Sequence, residues 1–186
     1  MKKYIKQYRT ETTRNEKNKK VRRVIYTGDY YEVKKEKAKR ESFLASAAAF
    51  LALHFAVGIL NTPSSRVFYV ALPYTVLFLP GVYFLMGAFS FLRAGKKMEF
   101  PTYEKSVVRM KRSLLGLVWG LGYLAAAETV FLFLNVSQAK IAGGELFREM
   151  VFLMVCAVNL AQIFRNKKNV NNVDVVEIGS QSEHAL

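Results

Sequence analysis

Between Phe43 and Phe164 the chain carries four long apolar blocks separated by polar connections, and no other feature restricts its fold as strongly. A backbone that crosses hydrocarbon must satisfy its own N–H and C=O groups. A single segment does so only as a helix of about 20 mostly apolar residues. Segments 43–60, 67–92, 114–136 and 146–164 meet that requirement. The second is long enough to tilt, and Pro73 and Pro80 each remove a backbone donor from it, which predicts a kink. The first runs into Asn61-Thr62-Pro63-Ser64-Ser65, which is turn chemistry. The fourth opens with Arg148 and Glu149, expected near the headgroups. The expected fold is an all-α membrane protein with four transmembrane helices.

Charge gives the spans a direction. The 186 residues contain 28 Lys and Arg against 14 Asp and Glu, a net charge of +14. Fifteen of the basic residues precede residue 43, and seven lie between Arg93 and Arg112. Arg165, Lys167 and Lys168 follow the last block. Basic residues beside spans mark the cytoplasmic side. Segment 1–42, the middle connection and tail 165–186 are therefore predicted cytoplasmic, with both termini on the cytoplasmic side of a cell membrane. The same rule accounts for the charge without nucleic acid, so nucleic-acid binding is disfavoured. Anionic lipid headgroups are the expected partner, at about 1 kcal/mol per well-placed Lys or Arg.

Residues 1–20 have the composition of a partly disordered segment, whereas 34–42 suit a helix that lengthens the first span. Pro101 predicts a break in the chain, with a helix starting at Thr102 and running into the third span. Segment 24–33, VIYTGDYYEV, reads as a β-hairpin around a type II′ turn at Gly28-Asp29. That register sets Tyr26 across from Tyr31 and Val24 across from Val33, giving a face suited to cytoplasmic contacts. A lone hairpin is marginal in water and needs cover. Residues 172–178 have strand composition and are expected to return as a third strand.

Few polar residues fall inside the spans. His54 and Glu128 lie at similar expected depth, and Asn135 is two helical turns beyond Glu128 on nearly the same face, so these three form the candidate intramembrane site. Asn159 and Gln162 are expected to bond neighbouring helices. Gly116 and Gly120, spaced as small-xxx-small, are the candidate packing positions, facing Ala45, Ala49 and Ala52 of the first span. Cys156 is the only cysteine, which excludes an internal disulfide. His184 is the only other histidine, and no phosphate-binding loop, nucleophile elbow or zinc helix occurs.

These observations predict no cofactor, no metal and no catalytic set. The leading expectation is a non-enzymatic scaffold or accessory subunit of a membrane assembly, with a protein partner. The alternative is a small transporter or channel, working as a homo-oligomer, in which Glu128 and His54 bind a proton or substrate.

Overall fold

The structure, a computed structural model, describes residues 8–14, 20–33, 37–136, 143–172 and 175–178. It is mostly helical, and four helical stretches are long and apolar enough to cross a membrane: Lys39–Gly58, Phe68–Arg93, Phe100–Val136 and Gly143–Asn171. No more than a third of each is buried within the protein. Phe55, Phe68, Leu79, Trp119, Phe133 and Phe147 face outward, while Phe50, Phe84, Phe91, Leu114, Leu117 and Ile163 fill the interior. A helix apolar on both faces suits a surrounding lipid rather than water.

Helix α1 (Lys37–Gly58) begins in the basic segment, as its composition suggests. It stops where Asn61 adopts a left-handed backbone, φ 45°, which asparagine tolerates better than most residues. A 3₁₀ turn, Pro63–Arg66, leads into α2 (Phe68–Val76) and α3 (Phe78–Arg93). The break between these two at Leu77 follows from Pro80. It has no N–H for the carbonyl of Val76 and its ring crowds that carbonyl. The helix runs through Pro73 unbroken.

The third spanning stretch combines α4 (Phe100–Tyr103), a π turn (Glu104–Val108) and α5 (Arg109–Val136). Pro101 sits in its first turn, where a missing N–H costs nothing. Helix α6 (Gly143–Asn171) closes the bundle, starting earlier and ending later than the apolar block alone indicates.

One basic residue has a structural task that composition did not reveal. Arg40 is buried, and its guanidinium bonds the carbonyls of Phe91, Ala94 and Gly95 while lying 5.0 Å from the centre of the Phe91 ring. It caps the C-terminal end of α3, satisfying exposed carbonyls and meeting the negative end of the helix dipole.

The segment 24–33 is not a hairpin. Strand β1 (Tyr8–Arg14) pairs antiparallel with β2 (Lys20–Tyr26), setting Tyr26 opposite Tyr8 and Val24 opposite Thr10. Strand β3 (Tyr30–Val33) instead pairs antiparallel with β4 (Lys97–Glu99) and with β5 (Val175–Ile178). Tyr31 therefore faces Met98 and Glu177 along the backbone ladder, and Val33 faces Val175. No described glycine has positive φ, so Gly28 does not supply the type II′ turn that the hairpin required. A seven-pair ladder with β1 replaces a short one with β3. The strand-forming stretch Tyr8–Arg14 also corrects the expectation of disorder within residues 1–20. Residues 1–7 and 15–19 of that segment, Val173 and Asp174 of the expected tail strand, and His184 lie outside the described residues.

Aromatic packing holds the corner between the two sheets. Tyr26 is buried, with ring centres 5.1 Å from Tyr8 and 5.3 Å from Tyr30. Its hydroxyl accepts the Phe100 N–H at 3.2 Å and donates to the Asp29 carbonyl at 3.4 Å. Burial pushes its phenol above the ordinary value, so the hydroxyl keeps the proton it donates. Tyr31 stacks on Tyr103 at 4.5 Å, seating β3 on the start of the third spanning stretch.

The expected tail strand does meet the 30–33 arm, though in a sheet of order β4-β3-β5. Truncation after Asn172 should uncover one edge of β3 and speed proteolysis at Tyr30–Val33 at least several-fold. Unchanged cleavage rates in limited digestion would mean that β5 does not hold this sheet.

Candidate functional site

At the end of the bundle remote from the sheets, the connection after α1 folds down onto α6. The Ser64 N–H donates to Glu149 Oε1 at 2.8 Å, and the Ser64 hydroxyl donates to Oε2 at 2.7 Å. Thr62 Oγ1 lies 3.1 Å from Ser64 Oγ. Since the Ser64 proton is already committed to Glu149, Thr62 is the donor in that pair. Glu128 of α5 lies against Glu149 and Ser64. Thr62, Ser64, Glu128 and Glu149 are each at most 1% exposed.

Glu149, expected near the headgroups, is buried against the 61–66 connection, with Ser64 as its hydrogen-bond partner. A carboxylate with two well-placed donors is bound to them rather than left to find water. Neighbouring Arg148 turns the other way, 3.4 Å from the Asn61 carbonyl. Both oxygens of Glu128 are buried and receive no hydrogen bond. Among the described residues no three His, Cys, Asp or Glu side chains are grouped to hold a metal ion.

His54 belongs to a different contact. Its Nε2 is 3.0 Å from the Tyr74 carbonyl, and the Tyr74 hydroxyl donates back to the His54 carbonyl at 2.6 Å. The ring lies between Phe50, Tyr74 and Phe78, with centres 5.5, 4.3 and 4.7 Å away. Gly58 permits this approach, since a Cβ there would meet the Tyr74 hydroxyl. The imidazole thus joins α1 to α2 through a closed aromatic contact. Asn135 gives its amide to the Phe131 carbonyl one turn back, at 2.8 Å. Of the three expected site residues, only Glu128 enters the polar cluster. The partners that the sequence reading missed are Glu149, Ser64 and Thr62.

Gln162 does bond a neighbouring helix, donating to the carbonyl and hydroxyl of Ser46 at 2.8 Å each. Asn159 is buried and its Oδ1 receives no bond. The small residues divide. A Cβ on Gly120 would fall 2.5 Å from Leu77 Cδ2, so close packing uses that glycine, but toward Leu77. A Cβ on Gly116 would meet only Pro80, at 3.6 Å, which is ordinary contact. Ala45, Ala49 and Ala52 are exposed, and α5 packs against α3 and α6 rather than forming the expected pair with α1.

At the sheet-bearing end a groove of about 500 Å3 opens between α3 and the π turn. Pro80 and Tyr83 line it together with Lys105, Arg109, Arg112 and Glu104. Three of its eight lining residues are basic and one is acidic. Against known proteins the chain matches no family model, no curated protein and no solved structure.

Proposed function

We propose that this is a multi-pass membrane protein with a non-enzymatic scaffold or accessory role, its sheet-bearing end in the cytoplasm. The observation that carries the reading is the sheet β4-β3-β5. It joins the N-terminal segment, the middle connection and the tail at one end of the bundle. These are the segments that hold most of the basic residues, which supports a cytoplasmic position. Among the described residues the outer edges of β4 and β5 are unpaired. Such edges accept a further strand, with the backbone ladder supplying affinity. The groove lined by Lys105, Arg109 and Arg112 adds a place for an anionic headgroup on the same side.

The transporter reading needs Glu128 and His54 to act on one pathway. It is the weaker reading, because His54 is only 2% exposed and is engaged with Tyr74.

A photoreactive residue placed at exposed Lys97 on β4 tests the proposal in living cells. The expected product is a discrete protein adduct that disappears when the tail is truncated after Asn172. Adducts with lipid alone, or an adduct indifferent to the truncation, would refute docking at this sheet.

A further inference from the structure

The polar cluster at the remote end has one donor too few. Glu149 accepts two hydrogen bonds from Ser64, one on each oxygen, which is the pattern of an ionised carboxylate. Glu128 lies against Glu149 and Ser64 with both oxygens buried, and neither oxygen has a partner at hydrogen-bond distance. A second ionised carboxylate would place an unsolvated negative charge beside the first, an arrangement that two adjacent carboxyl groups avoid by keeping a proton. As a carboxylic acid, Glu128 becomes the missing donor, with Glu149 as its acceptor.

No cation takes the place of that proton among the described groups. From α6, Arg148 is directed at the Asn61 carbonyl. Arg66, at the end of the 3₁₀ turn, is exposed. On α1, His54 is held by Tyr74. The remaining titratable groups facing the cluster are the buried Cys156 thiol of α6 and the Tyr74 hydroxyl of α2, and that hydroxyl already donates to the His54 carbonyl.

We propose that Glu128 and Glu149 form a proton-binding site, one proton held between the two carboxyl groups, which fastens the 61–66 connection onto α5 and α6. The proton sits on Glu128 and is donated to Glu149, while Thr62 and Ser64 complete the chain from the other side. When it leaves, two like charges share a buried space, and their repulsion pushes apart the helices onto which Ser64 fastens the connection. Only the folded chain brings the two groups together. The shared proton therefore belongs to the folded chain, and its removal unfastens the connection. The inference stands apart from the assembly reading, since it concerns the opposite end of the bundle.

Infrared spectroscopy of the full chain reconstituted in lipid nanodiscs reads the proton directly. Glu128 and Glu149 are the only carboxyl groups found buried among the described residues, so a neutral-acid carbonyl band at neutral pH reports on them. The expected band shifts down in D2O, disappears on alkaline titration, and is lost in Glu128→Gln. That variant offers an amide N–H to Glu149 in place of the acid proton, so its thermal midpoint should lose the alkaline dependence of the wild type. Absence of the band in the wild type, or its persistence in Glu128→Gln, would overturn the proposal. A midpoint raised by sodium or calcium ions without an acid band would also overturn it, in favour of a cation site. Should Glu128→Gln fail to fold, the wild-type titration decides alone. A band that vanishes in the acid range of ordinary carboxylates would reject a shared proton.

Discussion

Replacing Glu149 with alanine is expected to destabilise the protein by about 3 kcal/mol, more than any other single polar truncation in the bundle. The residue accepts both bonds that Ser64 donates, and Glu128 rests against it. Its loss leaves the Ser64 N–H and hydroxyl without acceptors in a site closed to water, at about 1–3 kcal/mol for each stranded group. Gln162→Ala is the comparison. Gln162 also bridges two helices, through Ser46, but it is only half-buried. A bond of that kind between spans averages about 0.6 kcal/mol, because the unfolded chain in lipid finds other partners. Unfolding of the purified variants by titration with a denaturing detergent measures both. If Glu149→Ala costs no more than Gln162→Ala, the connection after α1 is not held by the carboxylate.

The second large effect is steric. Gly87 lies where α3 crosses the π turn, and a Cβ there would sit 2.8 Å from Met110 Cγ, 3.2 Å from the Met110 backbone nitrogen and 3.2 Å from the Ser106 carbonyl oxygen. Met110 is fully buried, and the two backbone atoms cannot move aside. Gly87→Leu should force the helices apart at a cost of about 3 kcal/mol, the upper end of ordinary overpacking. Gly116→Leu places the same side chain on an exposed face where Pro80 is the nearest neighbour, and should change the unfolding midpoint little. Equal effects at the two sites would show that the close approach of α3 to the π turn is unimportant to the fold.

That contrast marks what the sequence made legible. The four apolar blocks, the interruption of the second and the return of a strand near the tail are written in local composition and in prolines. Gly116 and Gly120 share one spacing motif, yet only Gly120 meets a neighbour closely, because the motif records a face and not what lies opposite. The 24–33 segment failed in the same way. Its turn residues favour a hairpin locally, while the strands that actually pair, Tyr8–Arg14 and Lys97–Glu99, lie in segments of polar and basic composition. The partner of Glu149 was not legible because Ser64 is 85 positions away. Arg40 read as one more headgroup contact, although its acceptors are the carbonyls that end α3.

The sheet β4-β3-β5 also bears on how the chain is made. Strand β3 emerges from the ribosome before the first spanning helix, β4 only after the second, and β5 only after the fourth. With the four long apolar helices crossing the bilayer as proposed, an even number of them separates each strand from the next, so all three reach the same side. On that proposal, closure of this small sheet is a parity check on membrane insertion.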